Sequence, residues 1–194
     1  MLAMLKLNLG CGHDKRPGFV NVDSQAACQP DQVVDLERFP WPWADDSVDE
    51  IVMSHVLEHL GASADTYLGI IKELYRVCVP NARVAITVPH PRSDNYLADP
   101  THVRPITAMG LQMFNQELNR QNIAEGGSST PLGVYLNVDW ALESSDVKIL
   151  EPWASRFNSG QLTEDDITLA VQNFYNVIGD CEFVMRIRKP AFAG

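Results

Sequence analysis

The chain has 194 residues, 45% of them hydrophobic and 21% charged, and a formal net charge of −10. That length holds one well-buried core rather than two ordinary domains, and the spread of apolar residues excludes disorder as the main state. The acidic balance excludes general affinity for a phosphate backbone unless a local basic patch offsets it. The charge is uneven: residues 31–65 hold nine acids against Arg38 alone, whereas from Arg76 to Arg104 four arginines face Asp94 and Asp99.

The stretch from Met1 to Leu9 is apolar, but Lys6 and Asn8 interrupt it and no small-residue cleavage site follows. No signal peptide is expected, and no run approaches the ~20 apolar residues of a membrane span. Cys11, Cys28, Cys78 and Cys181 show no Cys-x-x-Cys spacing, which predicts a cytoplasmic chain with reduced thiols.

Short apolar runs alternating with helical patterns predict a parallel sheet with crossover helices. Strands are expected at Leu5–Leu9, Phe19–Val22, Val33–Val34, Asp49–Ser54 and Arg83–Val88. Between the last two, Tyr67, Ile70, Ile71, Leu74, Val77 and Cys78 share one face at helical spacing, and Val79-Pro80-Asn81 ends that helix. Thr107–Leu118 reads as one helix with Met109, Met113 and Phe114 in the core, and Ala124–Gly133 as a loop. Asn137–Glu143 and Cys181–Arg188 alternate like antiparallel strands. Between them Thr163 caps a helix that turns Ile167, Ala170, Val171 and Phe174 inward. No repeat or composition break divides the chain, so residues 1–194 are expected to form one domain.

Leu5–Leu9 runs directly into Gly10-Cys11-Gly12, a turn in which glycines allow close backbone approach to a ligand. Asp23 closes the second strand, where an acid can accept from both hydroxyls of a ribose. A dinucleotide fingerprint would need a third glycine where Lys15 stands and a later acid.

These segments, with Val34-Asp35-Leu36, Ser47-Val48-Asp49-Glu50-Ile51 and Val56-Leu57-Glu58-His59-Leu60, resemble the class I S-adenosylmethionine-dependent methyltransferases, particularly the small bacterial type. The resemblance implies an α/β fold: a single-domain Rossmann-like three-layer sandwich whose seven-stranded sheet is mostly parallel and ends in an antiparallel C-terminal hairpin. It implies a cofactor site of Asn8, Gly10, Cys11, Gly12, Asp23, Asp35, Leu36, Ser54 and His55. Gly10 and Gly12 would pass under the methionine half of S-adenosylmethionine, Asp23 would hold the ribose and Asp35 the adenine amino group. Leu36 would cover the adenine ring, and Ser54 and His55 would line the sulfonium region. The chain departs from the family pattern at Asn8, where an acid is usual, and at the missing third glycine. His13 or Lys15 is the alternative partner for the cofactor carboxylate.

His55-Val56-Leu57-Glu58-His59 also spells the inverted zinc-peptidase motif, in which helical spacing places two histidines on one face beside a glutamate base. It follows a strand directly and has no evident third ligand downstream, so no metal site is expected. Pro89-His90-Pro91-Arg92 and Asp99-Pro100-Thr101-His102-Val103-Arg104 follow the fifth strand, where open parallel sheets bind ligands. His102 or His90 is the candidate base, and an arginine there could clamp an anionic acceptor. The plainer alternative pairs Asp99 with Arg104 to fix the loop. Trp41-Pro42-Trp43 is assigned no role.

The expected activity is transfer of the S-adenosylmethionine methyl group to a hydroxyl or similar nucleophile of a small or glycan-like acceptor, with no nucleic acid and no membrane partner. The alternatives are a zinc-dependent hydrolase and a catalytically silent partner protein of the same fold.

Overall fold

A computed structural model describes residues 4–191, so the outermost residues of the expected 1–194 domain, including Met1–Ala3 of the leader reading, lie outside the described residues. The apolar runs of the first half form β1 (Leu5–Leu9), β2 (Val20–Asp23), β3 (Gln32–Val33) and β4 (Val48–Ser54). The amphipathic stretch forms α1 (Ala64–Val77), capped by Ser63, whose hydroxyl accepts from the Thr66 N–H. Its predicted face is buried, with Ile70, Ile71, Leu74 and Val77 fully inaccessible in one cluster with Leu7, Leu9, Ile51 and Met53. Burial of each such side chain contributes roughly 1.5–3 kcal/mol.

No loop follows α1. Strand β5 (Cys78–Pro89) begins at once, and Pro80 is accommodated where the β4–β5 register shifts between Val48 and Glu50. The expected single helix over 107–118 is two: α2 (Asp94–Leu97) precedes α3 (Ala108–Gln112) and α4 (Gln116–Ala124). Asn115 interrupts the run because its side chain accepts from the Leu118 N–H and starts a new helix. That break turns Phe114 into the core and leaves Met109 79% exposed, contrary to its predicted burial. Within the predicted 124–133 loop, Ala124 ends α4 and Leu132 onward is helical, as α5 (Leu132–Leu136).

Strand β6 (Trp140–Ile149) starts three residues after its predicted position. Then come α6 (Trp153–Asn158), α7 (Glu164–Asn173) and β7 (Ile178–Ile187). Thr163 and Asp166 form the capping box of α7, as the acidic first turn predicts. Ile167 and Ala170 are buried, but Phe174 lies at the helix end, 56% exposed against Trp153.

The seven strands form one sheet in the order β3-β2-β1-β4-β5-β7-β6. The first five are parallel, β7 runs antiparallel to β5, and β6 runs antiparallel to β7. This is the expected Rossmann-like sheet in a single domain, with one refinement: two helices separate β6 from β7, so the antiparallel pair is not a tight hairpin.

A half-buried ion pair ties α1 to the acidic segment before β4. Arg76 grips Glu73 through Nε and Nη2, both at 2.7 Å, and donates through Nη1 to the Trp43 carbonyl and Asp45. Glu73 also accepts from the Trp41 N–H at 2.6 Å. The Trp41-Pro42-Trp43 segment is thus a structural strap, its indoles buried edge to face. The Arg76 hydrogen bonds hold the Glu73 carboxyl below its usual range. Such a group stabilises the fold above its unfolded pKa of ~4.3 and loses that contribution as pH falls through the depressed folded value. Chemical denaturation should therefore show stability falling below pH ~4.3, with the fall shallower in Arg76→Met.

Candidate active site

The C-terminal ends of β1, β2 and β4 border a cleft of about 260 Å³ lined by Gly10, Asp23, Val34, Asp35, Leu36, His55, Val56 and Leu60, among others. Gly10 sits at φ +64°, and a Cβ there would fall 2.4 Å from Val56 Cγ2. Only glycine lets the turn after β1 close against the segment after β4. Asp23 accepts from the Gly12 N–H through Oδ2 and from the Gln25 N–H through Oδ1, each at 2.8 Å. The backbone therefore aims this carboxylate, and lone pairs remain on both oxygens. Asp35 is held by the Glu37 N–H at 3.0 Å and by Arg38 at 3.1 Å. Two fixed carboxylates alternating with Val34, Leu36, Val56 and Leu60 suit a nucleoside, polar at its ribose and apolar at its base.

Of the residues that the sequence suggests for this cleft, Gly10, Asp23, Asp35, Leu36 and His55 line it; Asn8, Cys11, Gly12 and Ser54 do not. Gly12 acts through its N–H on Asp23. Cys11 is buried, which pushes its thiol pKa up, and Ser54 remains in the sheet opposite Thr87. Asn8 is turned away into a buried polar network. Its Nδ2 donates to the Asp14 carbonyl at 2.8 Å and to Asn21 Oδ1 at 3.0 Å. Asn21 in turn donates to Asp31 through both its backbone and its side chain. Both groups facing Asn8 are acceptors, so a carboxylate there would have no donor to meet. Asn8→Asp should cost about 1–3 kcal/mol of stability in chemical denaturation, the range for a buried polar group left unsatisfied. Of the alternative carboxylate partners, Lys15 Nζ donates to the Gln29 carbonyl and His13 is exposed.

Beyond the shared residues His55 and His59 lies a second cavity of about 680 Å³, also lined by Glu58, Asn95, Asp99, His102 and Asp180. His55 stands at the junction, at φ +55° immediately after β4. The following Leu57–His59 is a single 3₁₀ turn. The two histidines of the zinc-peptidase pattern therefore do not share a helical face, and the hydrolase geometry is absent. The Glu58 carbonyl accepts from the Val103 and Arg104 N–H groups at 2.9 and 3.2 Å, which pins the 99–104 loop over this turn.

The Glu58 side chain is 1% exposed; neither carboxylate oxygen has a hydrogen bond, and His55 Nδ1 lies 3.5 Å from Oε1. Burial pushes the Glu58 pKa up, against the opposing pull of its own backbone N–H and of His59, His55 and His102. His102 is almost as enclosed, at 7% exposure, with Nδ1 2.7 Å from the Tyr96 carbonyl. A carbonyl only accepts, so Nδ1 carries the proton and Nε2 keeps its lone pair. His59 Nδ1 lies 2.9 Å from Thr101 Oγ1, which itself donates to Asp99 at 2.6 Å. The Thr101 proton is already committed, so His59 donates from Nδ1 and its Nε2 is also a lone pair.

The other expectations for these loops divide. His90 lies outside the second cavity, beside a separate apolar hollow of about 370 Å³ with Ile106, Val147 and Phe183. Its Nδ1 accepts from the Arg92 N–H, and burial with Arg92 pushes its pKa down. Arg92 donates to the Val171 and Gln172 carbonyls, and Arg104 donates to Gly61 and covers the Tyr67 ring at 4.2 Å. Neither arginine is available as an anion clamp, and Arg104 does not pair with Asp99. Residue spacing gave no sign that Glu58 would meet His102, because a distant loop brings them together.

Residues 6–86, from β1 through most of β5, match the family model described as a methyltransferase domain. Among solved structures, a methyltransferase from Archaeoglobus fulgidus superposes with a TM-score of 0.63 at 16% identity, covering 95% of this chain and 86% of that one. One from Methanosarcina mazei gives 0.54 at 15% identity, over 94% and 91%. The [4+2]-cyclase SpnF gives 0.54 at 13% identity, over 96% and 76%. No curated protein matches in sequence. The sheet order and the cleft at its switch point define the class I methyltransferase fold. The methyltransferase-domain match over residues 6–86, together with this fold, supports an S-adenosylmethionine-dependent methyltransferase with S-adenosylmethionine as its cofactor. At a hundred times its dissociation constant the cofactor should add about 2.7 kcal/mol. In a melting assay that should raise Tm by roughly 5–11 °C, whereas NAD should leave it unchanged.

Proposed function

We propose that the protein moves a methyl group to a hydroxyl or similar nucleophile of an uncharged small or glycan-like acceptor held in the cavity around Glu58 and His102. The observation that carries this reading is that the two cavities adjoin, sharing His55 and His59 in their linings. The nucleoside-type cleft thereby adjoins a polar space large enough for one sugar-sized molecule. Asp99, Asp180 and Asn95 offer partners for hydroxyls, and none of the described residues lining this cavity is lysine or arginine. That lining suits a neutral acceptor better than a phosphate or a nucleic acid. The described helices include none long and apolar enough to cross a membrane, and a cytoplasmic location is part of this proposal.

The cofactor supplies an electrophilic methyl on a sulfonium. Asp23 holds the ribose, Asp35 and Leu36 receive the adenine, and Gly10 leaves room for the methionine half. His55 stands between the reacting partners' cavities, and alignment of an attacking atom with its target can supply ~7–11 kcal/mol of the barrier. His102 is the proton acceptor of this reading, because its Nε2 lone pair is fixed by the Tyr96 carbonyl and it lines the acceptor cavity. His90 does neither.

Labelled S-adenosylmethionine incubated with candidate alcohols, amines and sugars should transfer label to a neutral hydroxylated acceptor; transfer only to nucleic acid would overturn the reading. Asp23→Ala should weaken cofactor binding by about 1.5–3 kcal/mol, the range for hydrogen bonds to a charged group. His102→Ala should leave that binding nearly intact in calorimetric titration and lower turnover about 10²–10⁴-fold. The reverse pattern would mean that the two cavities are assigned the wrong way round.

A further inference from the structure

We infer that Glu58, His59 and His102 form a binding site for one divalent cation of the zinc and manganese kind, opening onto the acceptor cavity. One ligating atom from each residue lies within 4.8 Å of the others. Two imidazoles with one carboxylate make a donor set used by catalytic divalent ions, with coordination positions left open for water or substrate. Three side chains drawn to a ~2.1 Å radius would need only a modest contraction of this cluster.

Two further observations point to a ligand. The first is the Glu58 carboxylate, almost wholly enclosed, with no hydrogen bond to either oxygen and with His55 Nδ1 3.5 Å from Oε1. A carboxylate so enclosed and so weakly partnered costs several kcal/mol, and a bound cation removes that cost. The second is the shell behind the ligands. Tyr96 O takes the Nδ1 proton of His102, while Asp99 through Thr101 takes that of His59. Metal-bound histidines are held this way, with the outer nitrogen donating to a carbonyl or to a carboxylate-linked group and the inner nitrogen left bare. In both rings Nε2 is thereby the nitrogen left to act as a ligand.

The inference rests on the proposed acceptor reading and changes one assignment within it. With a cation present, the His102 Nε2 lone pair meets the metal instead of the acceptor's proton. The cation would lower the pKa of an acceptor hydroxyl placed at an open position. That O–H would release its proton to water, the oxygen would form the new O–CH₃ bond, and the S–CH₃ bond would break with its electron pair left on a neutral thioether.

The test uses the whole chain stripped by chelator and then titrated separately with Zn²⁺ and Mn²⁺, followed by calorimetry and by metal analysis after gel filtration. One equivalent of at least one ion should bind per chain. Glu58→Gln, which keeps the shape and removes the charge, should weaken that binding at least a hundredfold. Thr101→Val, which alters only the second shell, should weaken it about tenfold to a hundredfold. S-adenosylmethionine binding, measured on the same samples, reports whether each variant is folded. Should Glu58→Gln fail to fold, Thr101→Val and His102→Ala carry the test. No stoichiometric ion on a folded wild-type chain, or binding unchanged in the folded variants, would overturn the site. Metal binding with no methyl transfer to any hydroxylated acceptor would instead sink the acceptor reading and leave the site standing.

Discussion

The position of β1 between β2 and β4 governs the rest of this molecule. The chain proceeds from β1 outward to β2 and β3, then returns across to β4 and β5. At such a switch point, loops leaving neighbouring strands turn in opposite directions and a crevice opens between them. Gly10 and Val56 border that crevice from its two sides, and their contact is close enough to exclude any side chain at position 10. Everything chemical in the structure is referred to this gap. Asp23 and Asp35 reach it from the β2–β3 side, and His55 reaches it from the end of β4.

The periodicity of the sequence made much of this arrangement legible. The buried face of α1, the alternating strands and the capped α7 all follow from short-range patterns that tertiary packing reinforces. What short-range patterns miss are decisions made by single polar side chains. Asn115 splits one apparent helix into two because a side-chain oxygen competes for the Leu118 N–H. Phe174 keeps helical spacing but falls where the helix has already ended, so its period no longer describes its direction. Asn8 departs from the family pattern for a local reason: Asp14 and Asn21 present it with acceptors, and only an amide can donate to them.

The candidate site was legible in the same unequal way. Gly10, Asp23 and Asp35 belong to strand ends, where position in a parallel sheet already implies proximity to a ligand. Glu58 and His102 belong to two loops whose meeting depends on the Glu58 carbonyl receiving the N–H groups of Val103 and Arg104. A local motif search reads His55 through His59 as a unit and proposes the wrong pair. The 3₁₀ turn instead leaves His55 and His59 lining both cavities, while Glu58 and His59 meet a histidine from another loop.

Electrostatics follow from where the arginines are used. Arg76 and Arg83 are paired with acids. Arg92 binds the carbonyls of Val171 and Gln172 near the end of α7, and Arg104 is spent on a carbonyl and an aromatic face. The stretch that looks basic in the sequence is therefore consumed in holding loops, while Asp23, Asp35, Asp99 and Asp180 line the two cavities. A field of that sign favours a sulfonium cofactor, whose positive charge is lost as the methyl leaves. The same field would favour release of the neutral thioether once transfer is complete, so one distribution of charge serves both capture of the cofactor and departure of its product.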